Sequence, residues 1–208
     1  MTDAVLADSS AARPVVGHHV VHHGRIFDLV SDELDLGDGV VTREYVDHPG
    51  AVAVIALDED DQVLLLKQYR HPVRRELWEP PAGLLDVAGE PAQEAAAREL
   101  AEEADLVAGT WSVLCDYYTT PGGNNEALRV FLARDLTPVP SDERHTREDE
   151  ERDMELRWVP LDDVVTAVLR GDIHNPSAVV GVLAAVAARQ TGWASLRSAD
   201  SPWPERRA

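Results

Sequence analysis

The chain has 208 residues, 44% of them apolar and 27% charged, enough for one globular domain with a sizeable core. Basic residues number 19 against 38 acidic, a net charge of −19 with Lys67 the only lysine, which argues against nucleic acid or an anionic membrane as a partner. A lone Cys115 excludes a disulfide framework and a multi-thiolate zinc site. No apolar run reaches membrane-spanning length and no basic-then-apolar leader opens the chain, so the expected compartment is the cytoplasm.

Residues 1–14, rich in Ala, Ser and Asp, read as a disordered leader. His18 to Leu36 alternates as short antiparallel strands with turns near Gly24 and at Gly37-Asp38-Gly39, and Val40 to Val46 continues as a strand. The run His18-His19-Val20-Val21-His22-His23 would put His18 and His22 on one face and His19 and His23 on the other, so no three imidazoles converge. After the break at His48-Pro49-Gly50, AVAVIALD (51–58) suits a buried strand, and Val63 to Tyr69 is its hairpin partner. Pro80-Pro81 interrupts regular structure, and Pro91 to Ala104 is a helix opened by proline and built from strong formers.

Further on, Trp111–Tyr118 and Ala127–Ala133 are strands flanking a turn with Pro121-Gly122-Gly123-Asn124-Asn125. Asp135 to Asp153 is a long polar loop of the kind that often serves function. Met154–Val159 is a strand, Leu161–Arg170 and Ser177–Arg189 are helices, and the tail from Gln190 is expected to fray. Strands and helices without regular βαβ alternation indicate a mixed α+β sandwich.

On the Pro91–Ala104 helix, Glu99, Glu102 and Glu103 stand at i, i+3 and i+4 and project from one side. Like charges so placed destabilise a helix. A divalent cation would offset the repulsion, and magnesium or manganese prefers such oxygen donors together with a substrate phosphate; from spacing alone a solvated acidic face is the alternative.

These residues fall in a pattern that resembles the Nudix box, Gly-x5-Glu-x7-Arg-Glu-U-x-Glu-Glu-x-Gly-U with U aliphatic. Glu90, Arg98, Glu99, Leu100, Glu102 and Glu103 match at the right spacing. Six residues rather than five separate Gly83 from Glu90, and Asp105 replaces the late glycine, a position where Asp can take a left-handed conformation. The resemblance implies a Nudix-type α/β/α sandwich with a mixed sheet over residues 48–190, preceded by a small antiparallel strand region (15–47) and followed by a C-terminal tail (191–208). It implies metal binding by Glu99, Glu103, Glu102 and the Ala82 carbonyl, with Mg²⁺ or Mn²⁺ as cofactor. Arg98 and Glu90 would form a supporting ion pair.

The resemblance is to the ADP-ribose pyrophosphatase subgroup, which cuts ADP-ribose into AMP and ribose 5-phosphate. Pro121 lies fifteen residues past Leu106, within TTPGGNNE (119–126), whose Gly123 and Glu126 would meet the substrate. In QYRHPVRRELWEPPAG (68–83), Arg70 would bind phosphate through its planar fork and Glu79 would sit beside the metals. Arg43 and Glu44 resemble an adenine- or ribose-facing pair, with a plain surface-charge role as the alternative. The general base would come from the 135–153 loop, with Glu148 and Glu150 the candidates. Homodimers with exchanged N-terminal strands are common in the subgroup. The alternative activities are hydrolysis of other nucleoside diphosphate sugars or dinucleoside polyphosphates, or a non-catalytic module that senses ADP-ribose.

Overall fold

The computed structural model of the protein describes residues 6–146 and 154–206. They form two compact units: the chain up to His48 together with Thr120–Asn125, and Pro49–Thr119 together with the chain from Glu126 onward.

In the first unit, β1 (Val15–His23), β2 (Asp28–Asp35) and β3 (Val40–Asp47) pair antiparallel in that order. Gly24 N–H donates to the Phe27 carbonyl at 3.1 Å in the first turn, and Leu36 N–H to Gly39 at 3.0 Å in the second. A bulge between Val20 and His22 breaks the simple alternation expected for the histidine run. It puts His23 opposite Asp28 and His18 opposite Asp32, so His18 and His23, not His18 and His22, share a face. Each meets a carboxylate there, His18 Nδ1 at 2.6 Å from Asp32 and His23 Nδ1 at 3.0 Å from Asp28. The turn Thr120–Asn125 lies along the end of β3, where Val46 N–H donates to the Gly123 carbonyl at 3.0 Å.

The second unit is a layered structure around β4 (Ala51–Ala56). A five-stranded sheet runs β11 (Arg197–Ser198), β8 (Leu106–Tyr118), β9 (Ala127–Pro138), β4 and β7 (Ala82–Leu84), with β4 and β9 parallel and the other pairs antiparallel. A second sheet orders β10 (Glu155–Pro160), β5 (Gln62–Arg70) and β6 (Arg75–Glu79). Helix α1 (Ala92–Ala104) covers one face; α2 (Leu161–Arg170) and α3 (Pro176–Gln190) cover the other.

The composition of β4 follows from this position. Ala51, Ala53 and Ile55 pack toward Val182 and Ala185 of α3, whereas Val52, Val54 and Ala56 pack toward Ala95, Ala96 and Leu100 of α1. A strand covered on both sides has no polar face, and each of its six residues is buried. Gly181 lets α3 approach, because a Cβ there would stand 2.8 Å from Ile55 Cδ1.

Four further segments depart from the sequence expectation. Val63–Tyr69 is not the hairpin partner of β4: apart from an isolated Leu57↔Val63 bridge, β5 pairs with β10 and β6 in the second sheet, because β4 is already flanked by β9 and β7. Pro80 and Pro81 break regular structure as expected, but the residues on either side form two strands the patterning does not indicate: β6 pairs with β5, and β7 pairs with β4, with Val54 N–H reaching the Pro81 carbonyl at 2.8 Å. Prolines at strand ends need only accept. Strands β8 and β9 run longer than the patterning indicates, pairing from Tyr118↔Ala127 to Leu106↔Pro138, so the first residues of the expected 135–153 loop are strand. Asp135 takes a positive φ of 55°, and the missing side chain at Gly109 makes room for it, since a Cβ there would be 3.1 Å from Asp135 Cβ. Finally, the described residues past Gln190, as far as Arg206, do not fray. They pair with β8 through Arg197↔Val113 and Ser198↔Ser112, and Trp203 packs onto the cluster beneath α1.

The cause of that last ordering is Arg129, a β9 residue only 2% exposed. A buried guanidinium must have its donors satisfied. Asp116 accepts from Nε at 2.7 Å and Nη2 at 3.0 Å, while the carbonyls of Ser201 and Pro202 accept at 2.7 and 3.1 Å. The Trp203 ring lies 4.7 Å from the guanidinium carbon.

Candidate active site

The site is built where α1 crosses β7. Pro91 caps the helix in an extended conformation (φ −62°, ψ 142°), and Asp105 ends it in the left-handed region (φ 54°, ψ 36°), with its N–H donated to Ala101 and Leu100 carbonyls. Asp105 therefore performs the turn that glycine performs in the box pattern. The buried side of α1 holds Ala95, Ala96, Leu100 and Ala104, and also Glu103, only 6% exposed. A carboxylate so buried requires a donor, and the Ala82 N–H supplies one to Glu103 Oε2 at 2.9 Å. Glu103 thus ties the helix to β7 beside the very residue whose carbonyl is the expected fourth donor.

One residue along β7, Gly83 lies directly beneath Glu99. A Cβ at that position would stand 2.1 Å from the carboxyl carbon and from Oε1 of Glu99, a distance no real contact tolerates. The box glycine is therefore a seat for a carboxylate.

Arg98 is enclosed by acids. Its Nε and Nη2 donate to Glu90 at 3.1 and 3.2 Å, the expected supporting pair, and its Nη1 donates to Glu99 Oε1 at 2.6 Å and to Glu102 Oε2 at 3.3 Å. The Glu90 hydrogen bonds, opposed by burial and reinforced by the Glu99 charge, hold the guanidinium above its ordinary pKa range. The contact between Arg98 and Glu99 was not legible from the pattern, because adjacent helical residues do not normally face each other.

Glu79 is the most buried acid near the site, 1% exposed at the end of β6. Arg70 neutralises it with a bidentate fork, Nε at 2.9 Å from Oε1 and Nη2 at 2.6 Å from Oε2. The pair expected as two separate contacts is thus one unit, with Arg70 half-exposed. Glu126 is held by Thr119, whose hydroxyl donates at 2.6 Å. Arg43 and Glu44 are consecutive on β3, opposite Asp32 and Ser31 respectively, so they point to opposite faces of that sheet and are not brought together. Gly123 is bonded to β3 through its carbonyl. Glu148 and Glu150 lie outside the described residues. Cys115 is half-buried in β8; burial, with Asp116 adding and Arg197 opposing, pushes its thiol up to about 11, which suits packing and not nucleophilic chemistry.

The donor chemistry fits a hard divalent cation: Glu99, Glu102, Glu103 and the Ala82 carbonyl offer only oxygen. Among the described residues, no group of three or more acidic, His or Cys side chains is gathered ready around a cation. Arg98 draws in Glu99 and Glu102, and the Ala82 N–H draws in Glu103.

A glutamate helix seated on a glycine edge strand, within a mixed sheet covered by helices on both faces, defines a class. The NUDIX domain model matches residues 47–179, and the chain belongs to the Nudix family. Among its relatives, an ADP-ribose pyrophosphatase of Mycobacterium tuberculosis is 47% identical over 92% of this chain and 91% of its own. An ADP-ribose pyrophosphatase of Bacillus subtilis is 32% identical over 80% of this chain and 88% of its own. The crystal structure of an ADP compounds hydrolase has the same fold, with a TM-score of 0.70 covering 90% of this chain and 100% of that one at 23% identity.

Proposed function

We propose that this protein hydrolyses the pyrophosphate of ADP-ribose to AMP and ribose 5-phosphate, with Mg²⁺ or Mn²⁺ held by Glu99, Glu102, Glu103 and the Ala82 carbonyl. The observation that carries the reading is the seating of Glu99 on Gly83 and of Glu103 on the Ala82 N–H. Both carboxylates are thereby held against adjacent residues of β7. The similarity to two ADP-ribose pyrophosphatases over most of the chain supports the substrate.

In this reaction a water oxygen bonds to one phosphorus, the bridging P–O bond breaks, and the bridging oxygen leaves on the other phosphate. A divalent cation held by Glu99, Glu102, Glu103 and the Ala82 carbonyl would supply charge neutralisation for the pyrophosphate and activation of the attacking water. A chain carrying −19 needs such help to admit a dianion. Arg70 presents a cation to the phosphates while Glu79 fixes its plane. Glu126, Gly123, Arg43 and Glu44 are the remaining proposed contacts, with Arg43 and Glu44 addressing different groups, since they face opposite ways. Glu148 or Glu150 takes the water proton.

The working form is a homodimer, supported by the exposed Val15, Val16, Val20 and Val21 of β1, an apolar content unusual for a solvated edge. The cytoplasm is the proposed compartment; among the described residues no helix is long and apolar enough to cross a membrane.

The test is a substrate panel with product analysis in Mg²⁺ and in Mn²⁺. ADP-ribose is expected to exceed other nucleotide sugars and dinucleoside polyphosphates at least ~10-fold in kcat/KM, about 1.4 kcal/mol of transition-state discrimination, and to yield AMP with ribose 5-phosphate. A reversed preference overturns the substrate assignment.

A further inference from the structure

Resting on the metal reading above, we infer that Arg98 is an internal stand-in cation: its Nη1 occupies Glu99 and Glu102 until a divalent ion takes their oxygens, while Nε and Nη2 stay anchored on Glu90. The division of labour among the three nitrogens is what points to this. Nε and Nη2 form a side-on fork to the two Glu90 oxygens, at 3.1 and 3.2 Å. Nη1 alone turns to the metal-binding side, at 2.6 Å from Glu99 Oε1 and 3.3 Å from Glu102 Oε2. On metal binding Nη1 would give up Glu99 and Glu102 while the Glu90 contacts keep Arg98 on the loop before α1.

The arrangement answers a problem that the metal-free protein must solve. Glu99, Glu102 and Glu103 repel one another on a single turn, and Glu99 and Glu103 are both largely withdrawn from water. Glu103 accepts from the Ala82 N–H, a neutral donor that adds no positive charge to the cluster of carboxylates. Arg98 is the guanidinium bonded to three acids there, and at 32% exposed it is not enclosed by the core. Its presence lowers metal affinity, because a cation must displace a short charge-assisted hydrogen bond. In exchange it keeps Glu99 seated on Gly83. The ordinary alternative is that Arg98 only orients the glutamates for the metal, and the two roles predict opposite signs.

The experiment measures Mn²⁺ binding to the full-length protein by electron paramagnetic resonance of the free ion, for wild type, Arg98→Gln, Arg98→Lys and Glu103→Gln. Thermal melts are run in chelator and in saturating Mn²⁺. A stand-in cation predicts tighter Mn²⁺ binding in Arg98→Gln, at least ~3-fold. It also predicts a lower melting temperature in chelator and a larger rise on adding Mn²⁺. Arg98→Lys, which retains charge but loses the fork, should tighten by less. Weaker binding in both Arg98 variants overturns the inference in favour of orientation alone. If Arg98→Gln does not fold, the sign of the change in Arg98→Lys decides. Unchanged Mn²⁺ binding in Glu103→Gln would instead remove the metal reading itself, so the two failures are separable.

Discussion

Replacing Gly83 by alanine tests the seating of Glu99 more sharply than replacing the glutamate. The added methyl would lie 2.1 Å from the Glu99 carboxyl carbon, and ordinary contact begins near 3.4 Å, so the carboxylate must retreat by roughly 1.3 Å. The obstruction is the far end of a flexible side chain, so the backbone of β7 can stay paired with β4. Stability should therefore change little, since alanine also restricts the unfolded chain, an effect of about 0.4–1 kcal/mol in favour of folding where the conformation is compatible. Activity should not escape. A misplacement of about 1 Å in a positioned group costs on the order of 10²-fold, or about 2.7 kcal/mol in the barrier. Steady-state hydrolysis of ADP-ribose, beside thermal melts, separates the two effects. Wild-type kcat/KM in a folded Gly83→Ala protein would refute the claim that this glycine exists to seat Glu99. Equal loss of stability and activity would show that the clash spreads into the sheet instead.

Arg129→Met should destabilise the fold by about 3 kcal/mol, the low end for breaking a buried ion pair because Arg197 remains at 2.8 Å from Asp116; a urea-derived loss below about 1 kcal/mol would show that the Arg129–tail contacts are incidental. Alkaline pH should weaken the fold. Burial raises Cys115 from 9.0 to about 11, and burial, against a Ser177 hydrogen bond, raises Tyr117 from 10.0 to about 12, so the folded state holds protons that the unfolded chain gives up. Stability from these groups is intact below pH 9 and falls as pH rises beyond the unfolded values; a flat urea midpoint from pH 8 to about 11 would contradict it. Glu148→Gln or Glu150→Gln should lower kcat by about 10²–10⁴ at whichever is the base, and full rate in both single variants and the double variant would place the base elsewhere.

The parts of this protein legible from sequence are those set by local spacing. The α1 glutamates share a side because the helical period places i, i+3 and i+4 together, and β4 is apolar throughout because it is covered on both faces. Asp105 in a left-handed cap was likewise foreseeable from a residue type that tolerates it. By contrast, the alternation rule misassigned the histidine faces of β1, because a bulge shifts the period at Val21 and no residue type announces one.

Tertiary structure decided everything that depends on partners distant in the chain. Strand β7 exists because β4 offers it an edge, the tail is ordered because buried Arg129 needs its carbonyls, and Arg70 and Glu79 are one ion pair because β5 and β6 fold back on each other. Sequence alone determined which acids sit on the box helix and how many turns separate them. Only the fold placed Glu99 over Gly83, Glu103 on the Ala82 N–H and Arg98 among its acids. Helical periodicity is a property of the backbone itself, whereas burial and close approach arise only when distant segments exclude water from one another.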